Sequence, residues 1–215
     1  MIEVLKNVFR IEELRRRILF VLAMLVVFRI GAHIPIPGID SKALAEFFAS
    51  NSKGLLGHLD MFSGGALRNM TIFALGIMPY ITASIVMQLL TAVFPFLERI
   101  SKEGEAGRRK ITQYTRYGTI GLSIIQGFAI AVGLESMGLG GNKVVLAGMN
   151  TWTFRFTSVM TLTAGTAFIM WVGEQISERG IGNGISLIIF AGIVASIPSA
   201  MFQTYMLFDT GEIGR

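Results

Sequence analysis

Two adjacent stretches of the chain decide its fold. Residues 55–69 read LLGHLDMFSGGALRN, and residues 70–97 continue as MTIFALGIMPYITASIVMQLLTAVFPFL. The second stretch carries no charge and exceeds the roughly 20 residues that an α-helix needs to cross a bilayer. The first is too short to cross and breaks at a glycine pair. A short apolar helix hinged to a spanning helix is typical of a re-entrant element or movable stopper, while an ordinary amphipathic surface helix fits the pattern equally well.

The composition of the whole chain excludes the soluble globular class. Hydrophobic residues make up 52% of the 215 residues, charged residues make up 15%, and the mean hydropathy is +0.61. The chain has no cysteine, which excludes a disulfide framework and a thiolate nucleophile or metal site. We therefore expect an all-α membrane protein with several spans.

Apolar runs of spanning length predict five transmembrane helices, at residues 18–36, 70–94, 117–134, 152–173 and 184–205. The remaining segments are predicted as an amphipathic surface helix at 1–17, a short helix at 55–68, charged loops at 98–116 and 174–183, and the start of a further loop at 206–215. A kink is expected at Pro79, because proline removes a backbone hydrogen bond inside a helix.

Lysine and arginine are distributed unequally between the two sides of these spans. The N-terminal segment holds five of them, residues 98–116 hold six and residues 174–179 hold one, which places twelve on one side and six on the other. The positive-inside rule makes the richer side, with the N-terminus, cytoplasmic. Because the number of spans is odd, a duplicated copy would enter the membrane upside down, which gives the inverted repeat common in transport folds.

The predicted spans contain almost no ionisable groups. Arg29 and His33 lie in the first span, and Arg29 can either snorkel outward or point into a wet cavity. Ion-coupled transporters normally carry acidic, lysine or histidine side chains at mid-membrane, so the pattern disfavours one. The motifs HExxH and GxSxG and an intramembrane aspartate pair are absent from the sequence, so no enzyme, metal or cofactor is predicted. Glu174 is interpreted as a helix-end charge at the membrane interface.

Two pairs of isoleucines share a helical spacing. Ile77 and Ile81 are four residues apart on the second span, and Ile185 and Ile189 repeat that spacing on the fifth. Packing against lipid or a neighbouring helix is the default explanation. A ring of such side chains can also seal a pore without charge, by dewetting and steric closure, so both interpretations remain open.

Several long segments resemble the bacterial SecY family of protein-conducting channels, and they follow one another in the family's order. They are FRIGAHIPIPGID (28–40), MFSGGAL (61–67), IFALGIMPYITASIVMQLL (72–90), KEGEAGRRKITQYTRYGT (102–119) and GEQISERGIGNGISLIIFAGIVA (173–195). The similarity covers the chain from about residue 14 to residue 199.

The resemblance implies a ten-span protein of two inverted halves that open like a clam, with a lateral gate onto lipid, and this chain resembles the N-terminal half. It implies that residues 55–68 form a plug and that the four isoleucines form part of a pore ring. The plug residues would be Leu55, Leu56, Leu59, Met61, Phe62, Ser63, Gly64 and Gly65.

The resemblance also implies partners and a function. The partners would be SecE, SecG, the SecA motor ATPase, the ribosome, signal peptides and preproteins, membrane lipid, and the C-terminal half of the same channel. A cytoplasmic docking loop would include Lys102, Arg108, Arg109 and Lys110, whose charges also serve to orient the chain. The implied function is passive conduction of unfolded polypeptides across the bacterial cytoplasmic membrane, with half of a secondary transporter as the alternative.

Overall fold

The computed structural model describes residues 11–40, 44, 66–67, 69–136, 138–139, 142–143 and 150–209. Six helices make up most of these stretches: α1 (Glu12–Gly31), α2 (Met78–Val93), α3 (Pro95–Lys102), α4 (Glu105–Ser136), α5 (Thr151–Arg179) and α6 (Gly184–Asp209). Two-residue strands, β1 (Gly138–Leu139) and β2 (Asn142–Lys143), pair antiparallel between α4 and α5. Apart from this small hairpin, the predicted α-helical fold class is confirmed. The predicted surface helix at 1–17 is described only from residue 11.

Two helices are long and apolar enough to cross a membrane by themselves. They are α4, with 32 residues, and α5, with 29 residues. A third span is counted if α2 and α3 are taken together, although the chain bends by 101° between them. These numbers refer to the described stretches and rest on length and composition alone. The chain is therefore a multi-pass membrane protein.

The second helix begins later than the sequence predicts. The predicted span starts at residue 70, whereas α2 begins at Met78, which places Pro79 in its first turn. The predicted kink at Pro79 is wrong, because a proline in the first turn lacks only an amide that has no partner within the helix. The bend lies instead at Phe94, where α2 ends and Pro95 opens α3.

Residues 69–77, which connect to α2, form a series of turns, and all of them after the exposed Asn69 are buried or half-buried. Met70 and Gly76 have positive φ angles of 44° and 56°. The amide of Ile36 donates to the carbonyl of Met70, and the amide of Ile72 donates to the carbonyl of Ile34, both at 3.0 Å. These bonds satisfy backbone groups that would otherwise be costly to bury in a membrane.

The side chain of Phe73 fixes this connecting segment to the helices around it. Its ring stacks between Phe28 of α1 and Phe168 of α5, with centroids 5.8 and 6.0 Å away. Gly31 lies directly against the Phe73 ring, and Gly165 lies directly against the backbone of Ile72. A side chain at either glycine would collide, so the two glycines permit the close approach.

The charged segment at 98–116, predicted as a loop, is helical over most of its length. α3 ends at Lys102, and α4 begins at Glu105. Gly104 turns the chain between them with a φ of 77°, a conformation that glycine adopts without strain. Charge alone could not distinguish a loop from an exposed helical hairpin.

The most extensive contact between two helices of the described structure is that of α4 with α5. A buried stripe of small residues recurs every fourth position on α4, at Thr115, Thr119, Ser123, Gly127 and Ala131. Small residues at this spacing let two helix backbones approach closely in a membrane. Opposite the stripe, Leu162 of α5 is fully buried.

Candidate functional site

The structure brings the two isoleucine pairs into one apolar cluster. Ile77 caps the start of α2 and is buried, while Ile81 lies in the first turn of that helix and is half-buried. Ile185 and Ile189 lie in the first two turns of α6 and are also half-buried. Ile77 belongs to a buried apolar cluster that includes residues of α1 and α5, and Ile81, Ile185 and Ile189 pack against the same cluster. Two helices far apart in the sequence therefore present their isoleucines to the same region.

A cavity of about 330 Å³ lies beside this cluster. Three of the isoleucines, Ile77, Ile81 and Ile189, line it, whereas Ile185 does not. The other lining residues are Leu67 and residues of the connecting segment, the start of α2 and the middle of α4: Ala74, Leu75, Gly76, Met78, Gln126, Ala129 and Ile130. Gln126 is the one polar side chain among the lining residues, so the walls are apolar and uncharged.

The predicted plug residues, Leu55, Leu56, Leu59, Met61, Phe62, Ser63, Gly64 and Gly65, lie outside the described residues. Of the range 55–68, only Ala66 and Leu67 are described. The amide of Thr71 donates to the carbonyl of Ala66 at 3.0 Å, and the Thr71 hydroxyl donates to the same oxygen at 3.4 Å. The Thr71 hydroxyl also accepts from the amide of Phe73 at 3.3 Å.

These contacts define an anchor, formed by Ala66 and Thr71, which are both fully buried. The anchor holds the chain where the predicted plug ends and the connecting segment begins. Leu67, the next residue, lines the cavity. The predicted plug therefore enters the described structure at the cavity wall.

The four predicted docking residues fall into two groups. Lys102 pairs with Glu98 at 2.6 Å, and Lys110 pairs with Glu103 at 3.2 Å, so these two lysines are partly neutralised. The Lys102 ammonium lowers the pKa of Glu98, first through its hydrogen bond and then through its charge. The other two, Arg108 and Arg109, are exposed on the first turns of α4.

Two ion pairs between α4 and α5 were not predicted from the sequence. The Nε atom of Arg116 lies 2.7 Å from Glu174, and Arg155 contacts Glu135 through two nitrogens, at 2.6 Å for the shorter contact. Glu174, interpreted from the sequence as a simple helix-end charge, is thus an inter-helix partner. An equal spacing of arginine and glutamate in both helices is the signal that could have revealed these pairs.

A family model and similar curated proteins all point to the same family. A family model described as SecY matches residues 71–213. The protein translocase subunit SecY of Pseudomonas aeruginosa is 53% identical over 203 residues, which cover 94% of this chain and 44% of that protein. The Escherichia coli subunit of the same name is 57% identical over 201 residues, which cover 94% of this chain and 45% of that protein. The chain thus spans about half the length of the curated relatives it matches.

Solved structures support the same fold at lower sequence identity. Sec61 in the canine ribosome–channel complex from the endoplasmic reticulum superposes with a TM-score of 0.57 and 20% identity. The match covers 85% of this chain and 37% of that chain. A structure described as a protein-conducting channel gives the same TM-score, identity and coverage.

Proposed function

Because this chain belongs to the SecY family, we propose that it forms one half of the central pore-forming subunit of a protein translocase. In this function the subunit passively conducts unfolded secretory polypeptides across the membrane and releases membrane proteins into it. The channel itself makes and breaks no covalent bond, and a motor protein or chain elongation supplies the energy.

The observation that carries the proposal is the uncharged cavity beside the isoleucine cluster. Apolar walls contact a passing chain weakly and without preference for its sequence, which suits a conduit for many substrates. Apolar constrictions also exclude water and ions when the channel is idle. Ile77, Ile81, Ile185 and Ile189 are our proposed pore ring on this half, and the second half would contribute the remainder.

Residues 55–68 are our proposed plug, which closes this cavity from the outside. The hydrogen bonds of the anchor at Ala66 and Thr71 support a plug that is held in place when the channel is closed. Leu67 supports the position of the closed plug, because it lines the cavity next to the anchor.

The proposed topology has five spans, at residues 18–36, 70–94, 117–134, 152–173 and 184–205, in a bacterial cytoplasmic membrane. In the second span, residues 70–77 form turns and the helix begins at Met78. The lysine and arginine bias supports a cytoplasmic N-terminus and cytoplasmic segments at 98–116 and 174–183. A second half of opposite orientation would complete a ten-span channel with a lateral gate onto lipid.

The proposed partners are SecE, SecG, SecA, the ribosome, signal peptides and preproteins. Arg108 and Arg109 support docking at the α3–α4 hairpin, because they are exposed and form no ion pair with a described residue. A ribosome offers RNA phosphates, for which arginine is a suitable bidentate donor.

Cysteine crosslinking tests the proposed path. These 215 residues contain no cysteine, so once any cysteine in the remainder of the full-length channel has been replaced, a single cysteine at Ile81 or Ile189 has little background. We expect both positions to form disulfides with a single-cysteine preprotein stalled in transit, and to form none without substrate. Matched controls are Leu89→Cys on α2 and Phe190→Cys on α6, which are each 62% exposed and do not line the cavity. Translocation without a crosslink at either isoleucine would refute the pore assignment.

A further inference from the structure

The two ion pairs between α4 and α5 obey a common pattern. Arg116 and Glu135 are nineteen residues apart on α4, and Arg155 and Glu174 are nineteen residues apart on α5. Because the helices run antiparallel, each arginine meets the glutamate of the other helix, with shortest distances of 2.7 and 2.6 Å. Moving from one pair to the other advances nineteen residues along α4 and goes back nineteen residues along α5. Both pairs therefore fit the same antiparallel register. The α4–α5 hairpin is clamped at both ends.

The distance between the clamps matches a membrane. Nineteen residues of α-helix span about 28 Å, close to the roughly 30 Å thickness of the hydrocarbon core. No charged residue lies between the clamps on either helix, over residues 117–134 and 156–173. The four charged side chains therefore stand at the two edges of an apolar slab.

Exposed aromatic rings provide an independent indication of those edges. Tyr117 follows Arg116 and is 61% exposed, and Trp171 lies one turn before Glu174 and is 48% exposed. At the other clamp, Trp152 is 69% exposed, and the Arg155 guanidinium lies 5.3 Å from the centre of its ring. Tyrosine and tryptophan concentrate at both membrane–water interfaces, so each clamp coincides with an aromatic belt position.

The contact between α4 and α2 contains no such clamp. Gly118 lies against Ala83 of α2, at 3.6 Å from the position of an added Cβ to the Ala83 Cβ. Within the stretches that the structure describes, no ion pair joins α4 to α2. Ion pairs therefore join α4 to α5 and not to α2.

We propose that the two clamps lock α4 and α5 into one rigid hairpin, which keeps its register and its depth in the bilayer while the channel works. Arg116, Glu135, Arg155 and Glu174 act as positioning residues, because they contact one another and not the cavity. That the clamps fix the register of α4 against α5 does not depend on the proposed function. That the hairpin stays rigid while the channel works rests on the proposed function.

Disulfide formation measures the register directly in the full-length channel in membranes. An added Cβ at Gly127 would lie 3.7 Å from the Cβ of Leu162, which is within the range for a disulfide. We expect Gly127→Cys with Leu162→Cys to oxidise efficiently, and Ser123→Cys with Leu162→Cys, one turn out of register, to oxidise poorly.

Charge reversal then tests the clamps. Arg155→Glu should lower the yield of the in-register disulfide several-fold, and adding Glu135→Arg should restore it, because the swapped pair keeps opposite charges in contact. Swapping Glu98 and Lys102 on α3 is the matched control and should change nothing. Equal disulfide yields in Arg155→Glu and in the double variant with Glu135→Arg would overturn the clamp. Oxidation of the Ser123–Leu162 cysteine pair as efficient as that of the Gly127–Leu162 pair would also overturn it.

Transport through the oxidised channel tests the second statement. We expect the Gly127–Leu162 disulfide to leave the rate of preprotein translocation unchanged, because a rigid hairpin does not need to open. A rate that falls on oxidation and returns with a reductant would overturn the rigid-body statement. A reduced channel that moves no preprotein would count against the proposed function, and the disulfide yields would still decide the register.

Discussion

Replacing Thr71 by valine should loosen the anchor at the end of the proposed plug. The two side chains have nearly the same shape, so the change removes the hydroxyl with little change in packing. Thr71 is fully buried, and its hydroxyl donates to the Ala66 carbonyl at 3.4 Å and accepts from the Phe73 amide at 3.3 Å. Valine leaves the Phe73 amide without this acceptor in the interior.

The size of the effect follows from these two bonds. A net contribution of about 1 kcal/mol is typical of one hydrogen bond, and both bonds here are long, so we expect a loss of about 1–2 kcal/mol. If the loss falls entirely on the closed arrangement of the plug, the ratio of closed to open channels decreases by roughly 5- to 30-fold.

Ion leak through the idle full-length channel in a planar bilayer or in vesicles measures that ratio. Thr71→Val should leak more than the wild type in the absence of preprotein. Thr71→Ser keeps the hydroxyl and is the matched control, with a leak near the wild-type level. If the valine and serine variants leak equally, the hydroxyl does not anchor the plug and the reasoning is wrong.

Two further predictions concern packing and docking. Gly165→Ala should lower the midpoint of thermal unfolding in detergent, because its Cβ would collide with the backbone of the connecting segment, whereas Gly121→Ala on α4, with open space around it, should not. Arg108→Glu with Arg109→Glu should weaken ribosome or SecA binding more than Lys102→Glu, which alters an already paired charge, and added salt should reduce the difference. Equal unfolding midpoints for the two glycine variants, or equal binding losses, would contradict these expectations.

Hydropathy identified the membrane class because apolar length is a property of single segments. The start of α2 could not be predicted in this way, since residues 70–77 are as apolar as the helix that follows. Their turns depend on hydrogen bonds with residues 34–36 and on the stacking of Phe73, which are contacts between segments distant in sequence. Likewise, charge predicted a loop at 98–116 where the exposed residues form two helices.

The isoleucine pairs were identified by their spacing, and the structure adds that they share one cluster. The sequence does not reveal which of them line the cavity, because that depends on how α2, α4 and α6 pack. The clamps are not predicted from the sequence, because Glu174 is interpreted there as a helix-end charge and Arg116 falls in a predicted loop. Partners 20 and 58 residues apart become visible only when the spacings of two helices are compared.

The length of α4 has a mechanical consequence. Its 32 residues form one uninterrupted helix of about 48 Å, of which about 16 Å precede Arg116 and carry the exposed Arg108 and Arg109. The same helix passes the Arg116 clamp, reaches Gln126 and Ile130 at the cavity wall, and ends just beyond the Glu135 clamp. The helix has no break between Glu105 and Ser136 at which it could bend. A tilt imposed on the two arginines from outside the membrane is therefore delivered to the cavity, with the clamped α5 moving alongside.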